Sequence, residues 1–248
     1  MRINKFLSTC GVASRRKCED VILSGRVAVN GKIVSTLSFD VNEKKDSVTV
    51  DGVQVSLPKT FVYLKFNKPK GCTCTASDER GRKTIFDVVK SKVRLVSVGR
   101  LDYDTEGLLL LTNDGDFANM VTHPRFHFEK EYYVTIEGQI KESELAVLRK
   151  GVVENGVRMP EAKVKVLGEE VKEEKGKDGT LRKKYFTKLS VVIDEGQNHQ
   201  VRRMFDCLGK SIHLLRRVRI GKVKLGGLSR GETKPLTEEE IESFHVGT

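Results

Sequence analysis

The residues best suited to chemistry lie in a short acidic loop, where Asp102, Asp104 and Glu106 are enclosed between two glycines. The four leucines at 108–111 form an apolar run that is too short to span a membrane and is typical of a buried strand. A carboxylate at the end of such a strand, with a basic partner, can act as a nucleophile or a general base. Most loops of this composition are turns whose aspartates cap backbone N–H groups, so the pattern alone leaves both interpretations open.

No metal-dependent chemistry is indicated by the cysteines. Cys72 and Cys74 form a close pair, but no second pair follows at the spacing of a zinc site, and alternating residues of a strand explain the pair better. The five cysteines are odd in number and scattered, which argues against a disulfide framework. We therefore expect no bound metal and a cytoplasmic protein.

The charge of the chain points to a polyanionic partner. Its 248 residues include 45 Lys and Arg against 34 Asp and Glu, a formal charge of +11. Seven basic residues lie in 1–34 against two acidic ones, and eight lie in 199–224 against one, so the positive charge is concentrated in two segments. Two separate contacts with a nucleic-acid backbone are the expected consequence.

Residues 1–55 are predicted to form a small unit of two helices followed by two hairpins. Ser14 is suited to cap the second helix, and Asn30–Gly31 and Asp51–Gly52 are strong signals for tight hairpin turns. This order of elements gives a compact module at the start of the chain.

Basic residues begin the second predicted helix. Arg15, Arg16 and Lys17 would lie at its positive end, where a phosphate group binds favourably. A solvated helix face is the alternative, and RNA contact is the favoured interpretation.

Residues 56–60 have the composition of a linker, and strands and helices alternate over 61–248. Strands are predicted over 61–66, 93–98, 107–112, 131–137, 162–167, 185–193 and 212–220, and helices near 84–91, 115–122, 141–149, 199–208 and 237–244. The mostly charged segment 169–184 is expected to form a long mobile hairpin arm rather than core. We expect neither a signal peptide nor a membrane span, because no apolar run approaches about 18 residues.

Four ordered segments resemble the motifs of a known family. Residues 99–115 are similar to the central signature of the bacterial ribosomal-RNA pseudouridine synthases of the RsuA/RluB group. Segments 67–71, 130–134 and 195–221 resemble the family's other motifs, and 1–55 is similar to the S4-like (alpha-L) RNA-binding domain that these enzymes often carry. The resemblance covers nearly the whole chain and implies an α+β fold, in which a mixed, mainly antiparallel catalytic sheet domain at 61–248 follows the small domain.

The resemblance also implies roles for individual residues. Asp102 would be the catalytic aspartate, Tyr132 the tyrosine packed against the target base, and Arg202 the basic partner of the aspartate. Asp104 and Glu106 are not carried over as catalytic, and loop capping is the preferred interpretation for both.

A larger set of polar residues is predicted to contact RNA: Arg15, Arg16, Lys17, Arg26, Lys68, Arg100, His199, Gln200, Arg203 and Arg217. Lys68 could instead be catalytic, although a supporting role beside the site is favoured over that. His199 is expected to support RNA contact and architecture rather than to transfer a proton.

The implied reaction converts uridine in ribosomal RNA to pseudouridine, by breaking the N1–C1′ bond and rejoining the base through C5. It involves no redox change, so no cofactor is expected. Residues 102–105 and 123–126 resemble the large-subunit enzymes more than the small-subunit one, which favours 23S over 16S RNA. We expect a monomer whose partner is ribosomal RNA and which binds no membrane.

Two other functions are weighed against this one. A non-catalytic RNA-binding or ribosome-assembly protein would explain the charge, but it leaves Asp102, Tyr132 and Arg202 unexplained together. A glycoside hydrolase using Asp102 and Asp104 is disfavoured because the chain contains no Trp and few aromatic residues suited to a polysaccharide site.

Overall fold

The chain divides into two compact units in the computed structural model, which describes residues 1–175 and 181–245. The first unit comprises Met1–Val62 with the segments Ser91–Val96 and Thr112–Asp116, and the second contains the rest of the described chain. A boundary at residue 55 and a linker at 56–60 stay predictions. Among the described residues, no helix is long and apolar enough to cross a membrane.

Two helices and a four-stranded sheet form the first unit. Its elements are α1 (Ile3–Thr9), α2 (Arg15–Leu23), β1 (Val27–Val29), β2 (Lys32–Ile33), β3 (Val48–Val50) and β4 (Val53–Val55). The sheet has the order β2-β1-β3-β4. Ile3, Leu7 and Ile22 from the helices share one apolar core with Val27 and Val48 from the strands, which confirms the predicted module of two helices and two hairpins.

The predicted capping and turn signals are present in this unit. The Ser14 hydroxyl oxygen accepts a hydrogen bond from the Lys17 backbone N–H at 3.3 Å and so caps α2. Asn30–Gly31 and Asp51–Gly52 all have positive φ angles, between 50° and 78°, as a tight hairpin turn requires.

A nine-stranded sheet is the framework of the second unit. Its elements are β5 (Tyr63–Lys68), α3 (Ile85–Val88), β6 (Val96–Val98), β7 (Glu106–Thr112), α4 (Gly115–Thr122), β8 (Lys130–Glu137), α5 (Glu142–Lys150), β9 (Val153–Glu154), β10 (Val157–Arg158), β11 (Lys163–Lys175), β12 (Leu181–Ile193), α6 (Gln200–Asp206), β13 (Ile212–Ile220), β14 (Val223–Lys224), β15 (Thr233–Pro235) and α7 (Glu238–Glu242). Some of these segments, such as β6, begin or end in the first unit.

The order of this sheet is β11-β12-β8-β13-β7-β5-β15, with β14 paired to β13 and β6 paired to β7. Strand β8 pairs antiparallel with both β12 and β13, whereas β13 pairs parallel with β7. The expected α+β fold with a mixed, mainly antiparallel sheet is therefore confirmed. The leucines at 108–111 are at most 1% exposed, so β7 is the buried strand that the apolar run predicts.

Regular strand pairing extends well into the predicted arm. Strands β11 and β12 pair antiparallel from Lys163 opposite Val192 to Lys175 opposite Leu181. The predicted strands 162–167 and 185–193 are therefore shorter than β11 and β12. Backbone hydrogen bonds hold the two strands together in this charged segment, so the pairing does not need the apolar side chains from which a strand is predicted. Residues 176–180 of the arm lie outside the described residues.

Sequence patterns also misjudge some element ends. The helix predicted near 84–91 spans only Ile85–Val88, and the helix predicted at 199–208 spans Gln200–Asp206. The short strands β9, β10, β14 and β15 were not predicted, since two or three residues carry too little periodicity to be recognised.

Candidate active site

Asp102 lies at the wall of a cavity of about 470 Å³, in the loop that joins β6 to β7. Its side chain is 28% exposed, so the carboxylate reaches the cavity without being freely hydrated. The Thr105 backbone N–H donates to the Asp102 carbonyl at 3.1 Å, and the Thr105 hydroxyl lies 3.5 Å from Asp102 Oδ2. The acidic loop is therefore a tight turn that presents one carboxylate to a cavity.

Lys68 stabilises this turn through hydrogen bonds to backbone carbonyls. Its side chain is fully buried, and Nζ donates to the backbone carbonyls of Pro69, Asp102 and Thr105 at 2.9–3.1 Å. Burial lowers the pKa of the Lys68 ammonium. The expected RNA contact by Lys68 is wrong, because its three donors are used on the turn, and the supporting role is the one that its bonds describe.

Arg202 forms an ion pair with the Asp102 carboxylate. Its Nε lies 3.7 Å from Asp102 Oδ2, which is an ion-pair distance rather than a hydrogen bond. Its Nη2 lies 3.0 Å from Asp104 Oδ1 and 3.2 Å from the Thr105 hydroxyl. The cap role proposed for Asp104 is thus wrong, because its carboxylate pairs with Arg202 and steadies that guanidinium over the loop.

His199 approaches Asp102 from the same side. It precedes α6 with a left-handed φ of 52°, and its Nε2 lies 3.6 Å from Asp102 Oδ1. More than half of its side chain is exposed, so it stands at the rim of the cavity. A residue in this place is able to contact RNA that enters the site.

Tyr132 provides an aromatic surface within the same cavity. It is 8% exposed, and β8 pairs it with Val191 on one side and Arg217 on the other. Side chains directly opposite in a sheet point to the same face, so the tyrosine ring and the arginine are neighbours. The structure thus brings the three predicted catalytic residues, Asp102, Tyr132 and Arg202, to one cavity.

Arg217 is a buried part of the cavity wall. It is 5% exposed, its Nε donates to the Leu108 carbonyl at 2.8 Å, and its Nη1 reaches the Arg100 carbonyl at 3.5 Å. Arg217 is therefore not placed for contact with RNA at the protein surface, and the predicted RNA contact stays a prediction for RNA that enters the cavity. Its backbone passes so close to Gly107 that the two strands admit no Cβ there.

Lys130 is a half-buried cation on the same wall. Its Nζ donates to the Asp194 carbonyl at 2.6 Å. Burial is the main cause that lowers the pKa of the Lys130 ammonium, and the nearby Arg217 charge lowers it further. No sequence signal distinguishes Lys130, although this residue begins the motif that contains Tyr132.

Cys74 anchors the residue before Asp102. Its Sγ accepts from the Leu101 N–H and donates to the Leu101 carbonyl, both at 3.3 Å, and burial raises the pKa of its thiol. Within residues 1–175 and 181–245, no group of three His, Cys, Asp or Glu side chains is arranged to hold a metal ion. Cys74 therefore has a structural role in the active-site loop.

Glu106 differs most from its expected role as a loop cap. It is 2% exposed at the start of β7, and its carboxylate lies 3.2 Å from Arg230 Nη2 and 3.7 Å from Arg216 Nε. A buried carboxylate needs such partners. The capping interpretation is wrong, and the sequence did not reveal that Arg216 and Arg230 pair with this carboxylate.

The other predicted RNA contacts differ in their availability. Arg15, Arg16, Lys17 and Arg100 are exposed. Others are engaged within the protein: Arg26 forms two hydrogen bonds with Asp51, Arg203 binds Glu154, and Gln200 is 2% exposed with its Oε1 accepting from the Gln197 N–H. Gln200 lines the cavity at the start of α6, so its predicted RNA contact stays a prediction for RNA that enters the cavity.

Comparison with known proteins gives consistent matches along the chain. The family model described as RNA pseudouridylate synthase matches residues 62–206, and the model of the S4 domain matches residues 1–48. An uncharacterized RNA pseudouridine synthase of Aquifex aeolicus is 41% identical over 245 residues, covering 97% of this chain and 92% of that protein. The ribosomal large subunit pseudouridine synthase B of Bacillus subtilis is 38% identical over 247 residues, covering 99% and 96%.

The chain is also similar to a solved structure over nearly its whole length. A crystal structure of a pseudouridylate synthase shares 32% sequence identity with a TM-score of 0.67, covering 98% of this chain and 99% of the other. The similarity therefore includes both units and every motif that lines the cavity.

Proposed function

The chain belongs to the RNA pseudouridylate synthase family, and from that premise we propose that it converts a uridine of 23S ribosomal RNA to pseudouridine, with Asp102 as the catalytic carboxylate. The observation that carries this proposal is the position of Asp102 at the cavity wall, 3.7 Å from Arg202 and in the same cavity as Tyr132. A protein that only binds RNA has no need for these three side chains in one enclosed space.

The reaction requires an ionised carboxylate in a partly dry site. Asp102 can attack C1′ of the sugar, add to C6 of the base, or remove the C2′ proton to form a glycal. Arg202 places a positive charge beside the carboxylate that each of these routes uses, and its ion pair with Asp104 keeps the guanidinium in place. The reaction is an isomerisation without redox change, so this chain's own side chains are sufficient for it.

Tyr132 and Lys68 serve the same centre in different ways. The Tyr132 ring offers a flat surface for a uracil that has left its stack in the RNA, and its hydroxyl can exchange a proton while the base turns. Lys68 fixes the carbonyl of Asp102, so it acts as a positioning residue. The cavity volume of about 470 Å³ is in the range of sites that hold a small ligand.

RNA is held outside the cavity by exposed basic residues. Arg15, Arg16 and Lys17 begin α2 in the segment that matches the S4 domain, where they favour phosphate groups. Arg100 and His199 lie near the catalytic loop and are free to meet the strand that carries the target uridine. This division assigns affinity to the first unit and chemistry to the second.

The large ribosomal subunit is the proposed source of the substrate, supported by the likeness to the Bacillus subtilis synthase B. We propose that the enzyme works in the cytoplasm, where ribosomal RNA is made, and as a monomer, because one chain supplies all three catalytic residues. Light scattering at micromolar protein concentration would test the monomer.

Chemical mapping of pseudouridine in both ribosomal RNAs, from cells with and without the gene, tests the substrate. We expect one modified position in 23S RNA to disappear with the gene and to return with a wild-type copy, but not with an Asp102→Asn copy. Loss of a 16S position instead would move the substrate to the small subunit, and no loss in either RNA would refute ribosomal RNA as the substrate.

A further inference from the structure

Arg217 has a donor with no partner among the described residues, in a place where an unpartnered donor is costly. Its Nε and Nη1 are directed at the Leu108 and Arg100 carbonyls, but its Nη2 is buried and unpaired. Buried polar groups in proteins are nearly always hydrogen-bonded. Because Arg217 also lines the cavity, a molecule bound there is the natural partner for Nη2.

Lys130 adds a second positive charge to the same wall. Lys130 and Tyr132 are two residues apart on β8 and so point to the same face, and Arg217 is directly opposite Tyr132 on β13. The acidic residues that act on Lys130 are Asp194 and Glu195, and its own proton donor reaches the Asp194 backbone carbonyl rather than a carboxylate. Two cations therefore border the ring against which the uracil is proposed to pack.

The chemistry produces a negative charge at this place. When the N1–C1′ bond breaks, its electron pair stays on N1, and the uracil leaves as an anion whose charge is shared among N1, O2 and O4. The sugar is then either bonded at C1′ to Asp102 or held as a glycal after Asp102 takes the C2′ proton. After the uracil turns, C5 supplies the electron pair for the new C1′–C5 bond, which displaces the Asp102 carboxylate from C1′ or, in the glycal route, is accompanied by return of the C2′ proton. The C5 proton then leaves and N1 takes up a proton, so the product is an isomer of uridine.

We infer that Arg217, assisted by Lys130, is a catalytic residue that stabilises the uracil anion between the breaking and the forming of its bond to the sugar. The inference rests on the proposed function and adds a role for the part of the cavity wall that β8 and β13 form. Donors fixed in a dry site stabilise a developing charge far better than water does, because they need no reorganisation. The same charges would hold the free base while it turns and prevent its loss.

Arg217 also touches the Arg100 carbonyl, two residues before Asp102, so a purely positional role must be distinguished. 5-Fluorouridine separates the two roles, because fluorine withdraws electrons and makes the uracil a better leaving group. An enzyme that has lost its anion stabilisation should be helped by fluorine, whereas an enzyme with a misplaced Asp102 should not.

The experiment uses the full-length chain and 23S RNA transcribed with either uridine or 5-fluorouridine. Single-turnover consumption of the target nucleoside is measured by mass spectrometry after digestion. Arg217→Gln should slow the reaction of uridine about 100-fold and that of 5-fluorouridine no more than about 10-fold. The matched control is Asp104→Asn, an exposed change that acts through Arg202 and should slow both substrates by the same factor.

Each outcome decides between the roles. Equal slowing of both substrates by Arg217→Gln would overturn the inference and leave Arg217 as a positioning residue. If Arg217→Gln does not fold, Lys130→Gln decides in its place, with an expected slowing of about 10-fold for uridine and at most about 3-fold for 5-fluorouridine. If the wild-type enzyme converts neither RNA, the proposed substrate is refuted. This result differs from the equal slowing by Arg217→Gln that would overturn the role of Arg217.

Discussion

Gly107 and Arg217 are in direct backbone contact across the parallel strands β7 and β13. A Cβ built on Gly107 would lie 2.2 Å from the Arg217 carbonyl oxygen and 2.8 Å from its backbone nitrogen. Gly107 also has a φ of +107°, which side chains rarely adopt. This contact joins the end of the Asp102 loop to the wall of the cavity. The active site therefore requires a residue without a Cβ at position 107.

Gly107→Ala should therefore destabilise the protein by about 3–5 kcal/mol, since the strands must separate and the backbone is strained. Thermal unfolding followed by circular dichroism measures this change. Gly115→Ala is the control, because no atom lies within 4 Å of its Cβ and its φ is ordinary, and it should be neutral or slightly stabilising. Equal midpoints for Gly107→Ala and wild type would contradict the close approach.

Arg202→Ala should lower the single-turnover rate at saturating RNA by about 100-fold or more, because Asp102 loses its counter-charge. RNA affinity and its salt dependence should change little, since Arg202 is directed at carboxylates rather than at phosphates. Arg149→Ala, which removes an arginine paired with Glu142 outside the cavity, should leave the rate within about 3-fold. An Arg202→Ala enzyme that binds weakly but turns over normally at saturation would make Arg202 an RNA contact.

Lys68→Met should destabilise the fold by about 3 kcal/mol, because one buried and two partly buried backbone carbonyls lose their donor. Urea unfolding measures this loss, and the catalytic rate of the folded fraction should fall with it as Asp102 is displaced. Lys70→Met removes an exposed lysine two residues away and should do neither. A stable and fully active Lys68→Met variant would refute the supporting role.

Replacing Arg15, Arg16 and Lys17 together with Ala should weaken binding to any RNA sequence. If each contacts one phosphate, the slope of log affinity against log salt should fall by about 2, at roughly 0.7 per contact on single-stranded RNA. The rate at saturation should be unchanged. Lys44→Ala with Lys45→Ala is the control in the same unit, because these exposed lysines stand beside Glu43 and Asp46, and a similar fall in slope there would mean that the effect is one of net charge.

The sequence predicts much of this architecture because its strongest signals are local. The Asn30–Gly31 turn and the leucines at 108–111 depend on backbone conformation and short-range patterning, and both were correctly interpreted. The resemblance of ordered motifs to a known family predicts that Asp102, Tyr132 and Arg202 belong to one active site, and all three line one cavity in the structure.

The misplaced residues share a physical reason. Lys68, Glu106 and Arg217 carry charges that usually lie at the surface, yet all three are buried. Partners from distant segments pair with Lys68 and Glu106 and with two of the donors of Arg217. Single-sequence patterns do not contain those pairings. The close approach of the Arg217 backbone to Gly107 cannot be predicted from the sequence either, since a glycine beside an acidic loop usually indicates a turn.

Asp102→Asn tests the central claim most directly, because it removes the charge while keeping the size of the side chain. The measurement is tritium release from 23S RNA labelled at C5 of uridine, beside filter binding of the same RNA. We predict that release falls below detection, while RNA affinity stays within about 3-fold of wild type because the phosphate contacts are untouched. An Asp102→Asn enzyme that releases tritium within 10-fold of the wild-type rate would contradict the role of Asp102 as the catalytic carboxylate.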